Sequence, residues 1–133
     1  MTILIGYVPT REGWPVFRAG IKEAAWRKTS ITVLNVAVYN DYAADTFADE
    51  KDLDRVRTQL AEAGLTYSVE QVMEATDVAD EILAAAQKLQ AELIVVGLRF
   101  RTPLAAALVG GTTRDVILGA RCPVLTVHPE AKV

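Results

Sequence analysis

The segment Glu92–Val127, ELIVVGLRFRTPLAAALVGGTTRDVILGARCPVLTV, carries the pattern that decides the fold. It opens with ELIVVG (92–97), a short run that is apolar on both faces, as in a strand with neighbours above and below it. Gly97 ends that run, and residues 98–109 connect it to a helix expected at roughly 112–120, closing near Gly119. CPVLTV (122–127) then returns to strand character. A strand, a helical crossover and a second strand make the unit from which parallel sheets are built.

Working outward toward the N-terminus, the alternation repeats. In TDVADEILAAAQKLQAE (76–92), Val78, Ile82, Leu83, Ala86 and Leu89 share one helical face, and Asp77 with Asp80 forms a capping pair at its start. TYSVEQV (66–72) carries β-formers on both faces and is expected as an edge strand. Leu53, Val56, Leu60 and Ala63 form another helical stripe, stopped at Gly64. The polar, acidic residues 40–52 before it are expected as a long surface loop.

SITVLNVAVY (30–39) and TILIGYV (2–8) are two further strands, the latter broken by Pro9. Between them, Trp14–Lys28 is an amphipathic helix with Val16, Phe17, Gly20, Ile21, Ala24 and Ala25 at helical spacing. Trp14 and Trp26 fall roughly 120° apart around it, so one is expected in the core and the other in solvent. The sum is an α/β chain with a single doubly wound parallel five-stranded sheet and helices on both faces.

Composition agrees. The 133 residues, 51% hydrophobic, suit one domain spanning 1–133 with a proper core. Net charge is −3, and no basic cluster exceeds Arg99 plus Arg101. Duplex nucleic acid demands a basic face, so it is set aside as a partner. No apolar run is long enough to span a membrane, and MTILIGYVPT lacks the basic start and apolar centre of a secretory signal. With Cys122 alone, no internal disulfide can form. A cytoplasmic location is the expectation.

Ligands of open parallel sheets collect at the carboxyl ends of the strands, where strand order reverses. A central first strand puts Gly6, Tyr7, Val8, Pro9 and Thr10 there, facing Gly97 and the residues just after it. The helix beginning near Gly110 and Gly111 offers unpaired amides and a partial positive charge, suited to an anion. Thr112 and Thr113 add hydroxyl donors, and Arg99 and Arg101 can supply cations. A second reading stays open on these residues: Thr112 with Asp115 is itself a capping pair that needs no ligand, and Asp115 repels phosphate.

No metal site is expected. His128 stands alone beyond the last strand as a surface residue, and Asp41–Asp54 lacks a calcium-loop pattern. Tyr39 and Tyr42 can flank the crevice mouth or pack into the core. Neither a Ser-His-Asp set, a Walker-type loop nor a metal-holding carboxylate pair is visible, so no catalytic residue is assigned and the chain is not expected to be an enzyme.

IVVGLRF (94–100), LVGGTTRDVIL (108–118) and RCPVLTVHP (121–129), with the opening ILIGYVPT, resemble the universal stress protein family across nearly the whole chain. That family's closing motif is G-x2-G-x9-G-[ST], a helix, and a C-P-V-like strand. The resemblance implies a flavodoxin-type sheet of order 3-2-1-4-5 and a homodimer formed by antiparallel pairing of the last strands. It further implies an adenine nucleotide (ATP, AMP or cyclic AMP) between strands 1 and 4. Gly97 matches the first motif glycine, Gly110 the third and Gly111 the Ser/Thr position. Thr113 falls on a position that often holds a hydroxyl, and Tyr7 and Val36 fall at the adenine and ribose edge. Two departures stand out: the second glycine is Phe100, and an acid common at the end of strand 1 is Val8. They leave a nucleotide-independent dimeric scaffold as the alternative, with a weak hydrolase a distant third.

Overall fold

The computed structural model describes residues 1–38, 47–98 and 110–133. Five strands, β1 (Thr2–Gly6), β2 (Ser30–Val38), β3 (Tyr67–Ala75), β4 (Leu93–Gly97) and β5 (Val124–Val127), form one sheet of order 3-2-1-4-5. Every neighbouring pair is parallel. Helices α1 (Gly13–Arg27), α2 (Glu50–Glu62), α3 (Val78–Leu89) and α4 (Gly111–Gly119) supply the crossovers.

β1 shows why the sheet needs cover on both faces. Ile3 and Ile5 point into one core with Val33, Val95, Phe17 of α1, and Val56 and Leu60 of α2. Leu4 points the other way, to Leu34, Ile94, Ile82 of α3 and Val116 of α4. Successive side chains of a strand alternate faces, so an unbroken apolar run is buried only when helices lie on either side. Ile3 pairs across to Ile31 and Leu93, which makes β1 the hub of the sheet. Strand order reverses there, and the carboxyl ends of β1 and β4 diverge around a crevice.

The boundaries depart from expectation in instructive ways. β1 stops at Gly6, not Val8. The acidic stretch is loop only as far as Asp49 within the described residues. The Asp49 side chain accepts from the Asp52 amide and Asp52 returns the bond, a reciprocal box that starts α2 at Glu50. β3 is an edge strand, as its two-sided pattern implied, but it runs on to Ala75. A register shift between Val36 and Val38 accompanies that extension, and Glu74 beside it adopts φ 57°.

Asp77 caps α3 by accepting from the Asp80 amide, as expected. Gly64, just past α2, takes the left-handed conformation at φ 71°. Trp14 is half-buried against the core and Trp26 is 77% exposed, which divides the two indoles as their spacing implied. Among the described residues, no helix is long and apolar enough to cross a membrane.

Candidate functional site

A cavity of about 110 Å³ opens where the carboxyl ends of β1 and β4 part. Gly6, Tyr7 and Val8 line it from the end of β1, and Gly97 and Leu98 from the end of β4. Val36, Leu34, Val78 and Ile82 make an apolar side on the α3 face. Thr112 and Thr113 contribute the start of α4, and Val127 closes the β5 side. Gly110 and Gly111 stand immediately before these threonines, as the N-cap and first residue of α4. Arg99, with Phe100 and Arg101, lies outside the described residues, as do Tyr39 and Tyr42.

The site is held by a few specific bonds. Thr113, 3% exposed, donates from Oγ1 to the Gly97 carbonyl at 2.8 Å, which ties the first turn of α4 to the end of β4. Its hydroxyl hydrogen points to that carbonyl, whereas the Thr112 hydroxyl beside it is exposed. The Leu98 amide donates to Val127 at 2.8 Å and links the crevice to β5. The expected Thr112–Asp115 cap does not form. α4 has no side-chain cap, and Asp115 instead accepts from the Arg114 guanidinium. The first backbone bond of the α4 ladder is Arg114 N–H to Gly110 at 3.0 Å, so the amides of residues 111–113 precede it.

Tyr7 enters the wall in an unexpected way. Its ring is 2% exposed and packs against Trp14 at 6.1 Å and Phe17 at 6.0 Å. Burial, helped by the nearby Asp52 carboxylate and opposed by Arg55, pushes the phenol up to about 12. That ring belongs to the core cluster on the α1 face, while Tyr7 also lines the crevice. The Arg55 guanidinium sits 5.8 Å from the Trp14 ring and covers the outer side of this cluster.

Three residues that sequence reasoning passed over stand at or behind the cavity wall. Asn35, fully buried in β2, donates to the Tyr7 carbonyl at 3.0 Å and accepts from the Ala48 amide at 3.1 Å. Gln71 Nε2 bridges Asn35 Oδ1 and the Ala48 carbonyl at 2.9 and 2.8 Å, so one polar knot joins four segments: the end of β1, β2, the approach to α2, and β3. Glu12, the N-cap of α1, brings a carboxylate to the lining. Its position after the Pro9–Arg11 turn was the available signal. Among the described residues, no cluster of three or more His, Cys, Asp or Glu could hold a metal ion.

The model of the universal stress protein family matches residues 1–128. The chain belongs to the universal stress protein family. A universal stress protein of Mycolicibacterium smegmatis is 31% identical over 128 residues, covering 96% of this chain and 98% of the relative. The universal stress protein of Archaeoglobus fulgidus, solved in complex with dAMP, superimposes with a TM-score of 0.70 at 23% identity, covering 96% and 97% of the two chains. A universal stress protein solved in complex with cAMP gives 0.75 at 21% identity, covering 98% of each. In this universal stress protein, uncharged Val8 occupies the crevice where the resemblance implies an acid. Cys122 is half-buried and its thiol is pushed up by burial, so it has no marked thiolate character.

Proposed function

We propose that this universal stress protein is a cytoplasmic, homodimeric regulatory module that binds an adenine nucleotide between the ends of β1 and β4. The observation that carries the reading is the start of α4: a helix end without a side-chain cap, tethered through Thr113 to Gly97, whose second and third residues line the cavity. Such an end carries about half a positive charge and presents amides to a phosphate. The apolar side made by Leu34, Val36, Val78 and Ile82 suits a base. The solved relatives holding dAMP and cAMP support the same assignment.

Native mass spectrometry with added AMP and adenosine tests it. AMP is expected to add one ligand per protomer and to bind about tenfold more tightly than adenosine, the worth of one charge-assisted phosphate contact. Equal affinities would remove the phosphate from α4. No complex at millimolar AMP would favour the second reading, a nucleotide-independent scaffold, for which uncharged Val8 speaks.

The dimer rests on β5. It is an outer strand, paired on one side only, and Val124, Leu125 and Thr126 are half-buried. Open strand edges of this kind are ordinarily covered, and a second copy of β5 offers a matching partner. Leu125→Lys is expected to move size-exclusion elution from the dimer to the monomer position with unchanged circular dichroism. Elution unchanged from wild type would overturn this interface.

A further inference from the structure

We infer that the outer face of α1 docks on an anionic phospholipid surface through Trp26 and the cations around it. Arg18, Lys22 and Trp26 follow one another at four-residue spacing along one side of the helix, and all three are exposed. Trp26, 77% exposed, is the indole that the core does not take. Arg27 and Lys28 come directly after it and are exposed as well. From Arg11 to Lys28 the charged residues are five bases and two acids, Glu12 and Glu23, in a chain whose net charge is −3. Glu23 is bonded to Arg27 at 3.2 Å. Arg18, Lys22 and Lys28 enter no ion pair with another described residue.

Val16, Phe17, Gly20 and Ala24 turn the opposite side of α1 into the sheet, so the stripe points outward. A protein partner is held by a cluster of apolar anchors, and single-stranded nucleic acid by a run of stacked aromatic rings. This face offers one indole, with Ala25 as the other exposed apolar residue of α1. A bilayer interface needs no more: an indole settles at headgroup level, and each nearby Lys or Arg is drawn to anionic lipid. α2, on the same side of the sheet, carries four acids against three bases, which centres the attraction on α1. Trp26 lies at the carboxyl end of α1, beside the amino ends of the strands, whereas the crevice opens at their carboxyl ends. Docking therefore leaves the crevice open to solvent.

Sedimentation of the whole protein with vesicles of equal parts phosphatidylglycerol and phosphatidylcholine tests the assignment, with tryptophan emission read alongside. Wild type is expected to sediment with these vesicles, to shift its emission to the blue, and to ignore vesicles of phosphatidylcholine alone. Release is expected at about 1 M sodium chloride, where charges are screened beyond ~3 Å. Lys22→Gln should weaken vesicle affinity about fivefold, the worth of one cation at an anionic surface. Trp26→Ala should abolish the blue shift, since the remaining indole, Trp14, is packed against the core. Both replaced side chains are exposed, so circular dichroism should match wild type. Protein that stays in solution beside the anionic vesicles at low salt overturns the inference. So does equal binding to phosphatidylcholine, or an affinity that neither variant lowers. Tighter binding to oligothymidylate or polyglutamate than to the vesicles would assign the stripe to another polyanion and overturn the lipid reading.

Discussion

Gly13→Ala is expected to lower the thermal midpoint by roughly 10 °C. A methyl group at Gly13 would lie 1.9 Å from the Val8 carbonyl oxygen and 3.0 Å from its carbon, and both are backbone atoms. No rotamer change relieves such a clash, so the start of α1 must move away from the end of β1. Overpacking of this kind costs about 3 kcal/mol, and in a domain of this size each kcal/mol is worth about 3–4 °C. The displaced residues include Val8 and Glu12, so ligand affinity should fall with stability. Gly111→Ala is the natural control, because a methyl group there meets nothing within 4 Å. Differential scanning calorimetry on both variants checks the contrast; a Gly13→Ala midpoint within about 2–3 °C of wild type would contradict the close approach.

Asn35→Leu carries the second large effect. The apolar side chain fits the volume but leaves the Tyr7 carbonyl, the Ala48 amide and one donor of Gln71 without their partner. Each buried group left unpaired costs about 1–3 kcal/mol, which sums to about 3–5 kcal/mol when water reaches some of them. Gln71→Leu should cost about 1 kcal/mol, since Gln71 is only half-buried and Asn35 keeps its bonds to Tyr7 and Ala48. Urea denaturation of the two variants is the measurement. Similar losses from both would mean that Gln71, and not Asn35, organises the knot.

These residues also mark what could be read from the chain before its fold was known. Strands announced themselves wherever apolar runs had to be buried twice, as in Leu93–Gly97, and helices wherever Val56 and Leu60 or Ile82 and Ala86 recurred at helical spacing. Those signals are local and cumulative. Asn35 is different, because its partners lie 28, 13 and 36 residues away and become neighbours only after β1, β2 and β3 have aligned. Nothing in SITVLNVAVY marks its asparagine as anything but a break in an apolar run.

Capping patterns were ambiguous for a related reason. Asp49 with Asp52 formed a box inside an apparent loop, whereas Thr112 with Asp115 had the spacing and did not. At α4, Gly110 and not Thr112 stands at the N-cap, and the Asp115 carboxylate accepts from the Arg114 guanidinium instead. The crevice itself was legible from topology alone. Its occupants Gly6, Val8, Gly97 and Thr112 follow from where strands end, while Glu12 depends on how tightly one turn closes.

Val127 belongs at once to the cavity wall and to the outermost strand. Thermodynamic reciprocity then binds two equilibria together: whatever factor a filled crevice contributes to self-association, self-association must return to the crevice. If the proposed nucleotide site and β5 dimer hold, Val127 is the place where ligand concentration and subunit number would be coupled.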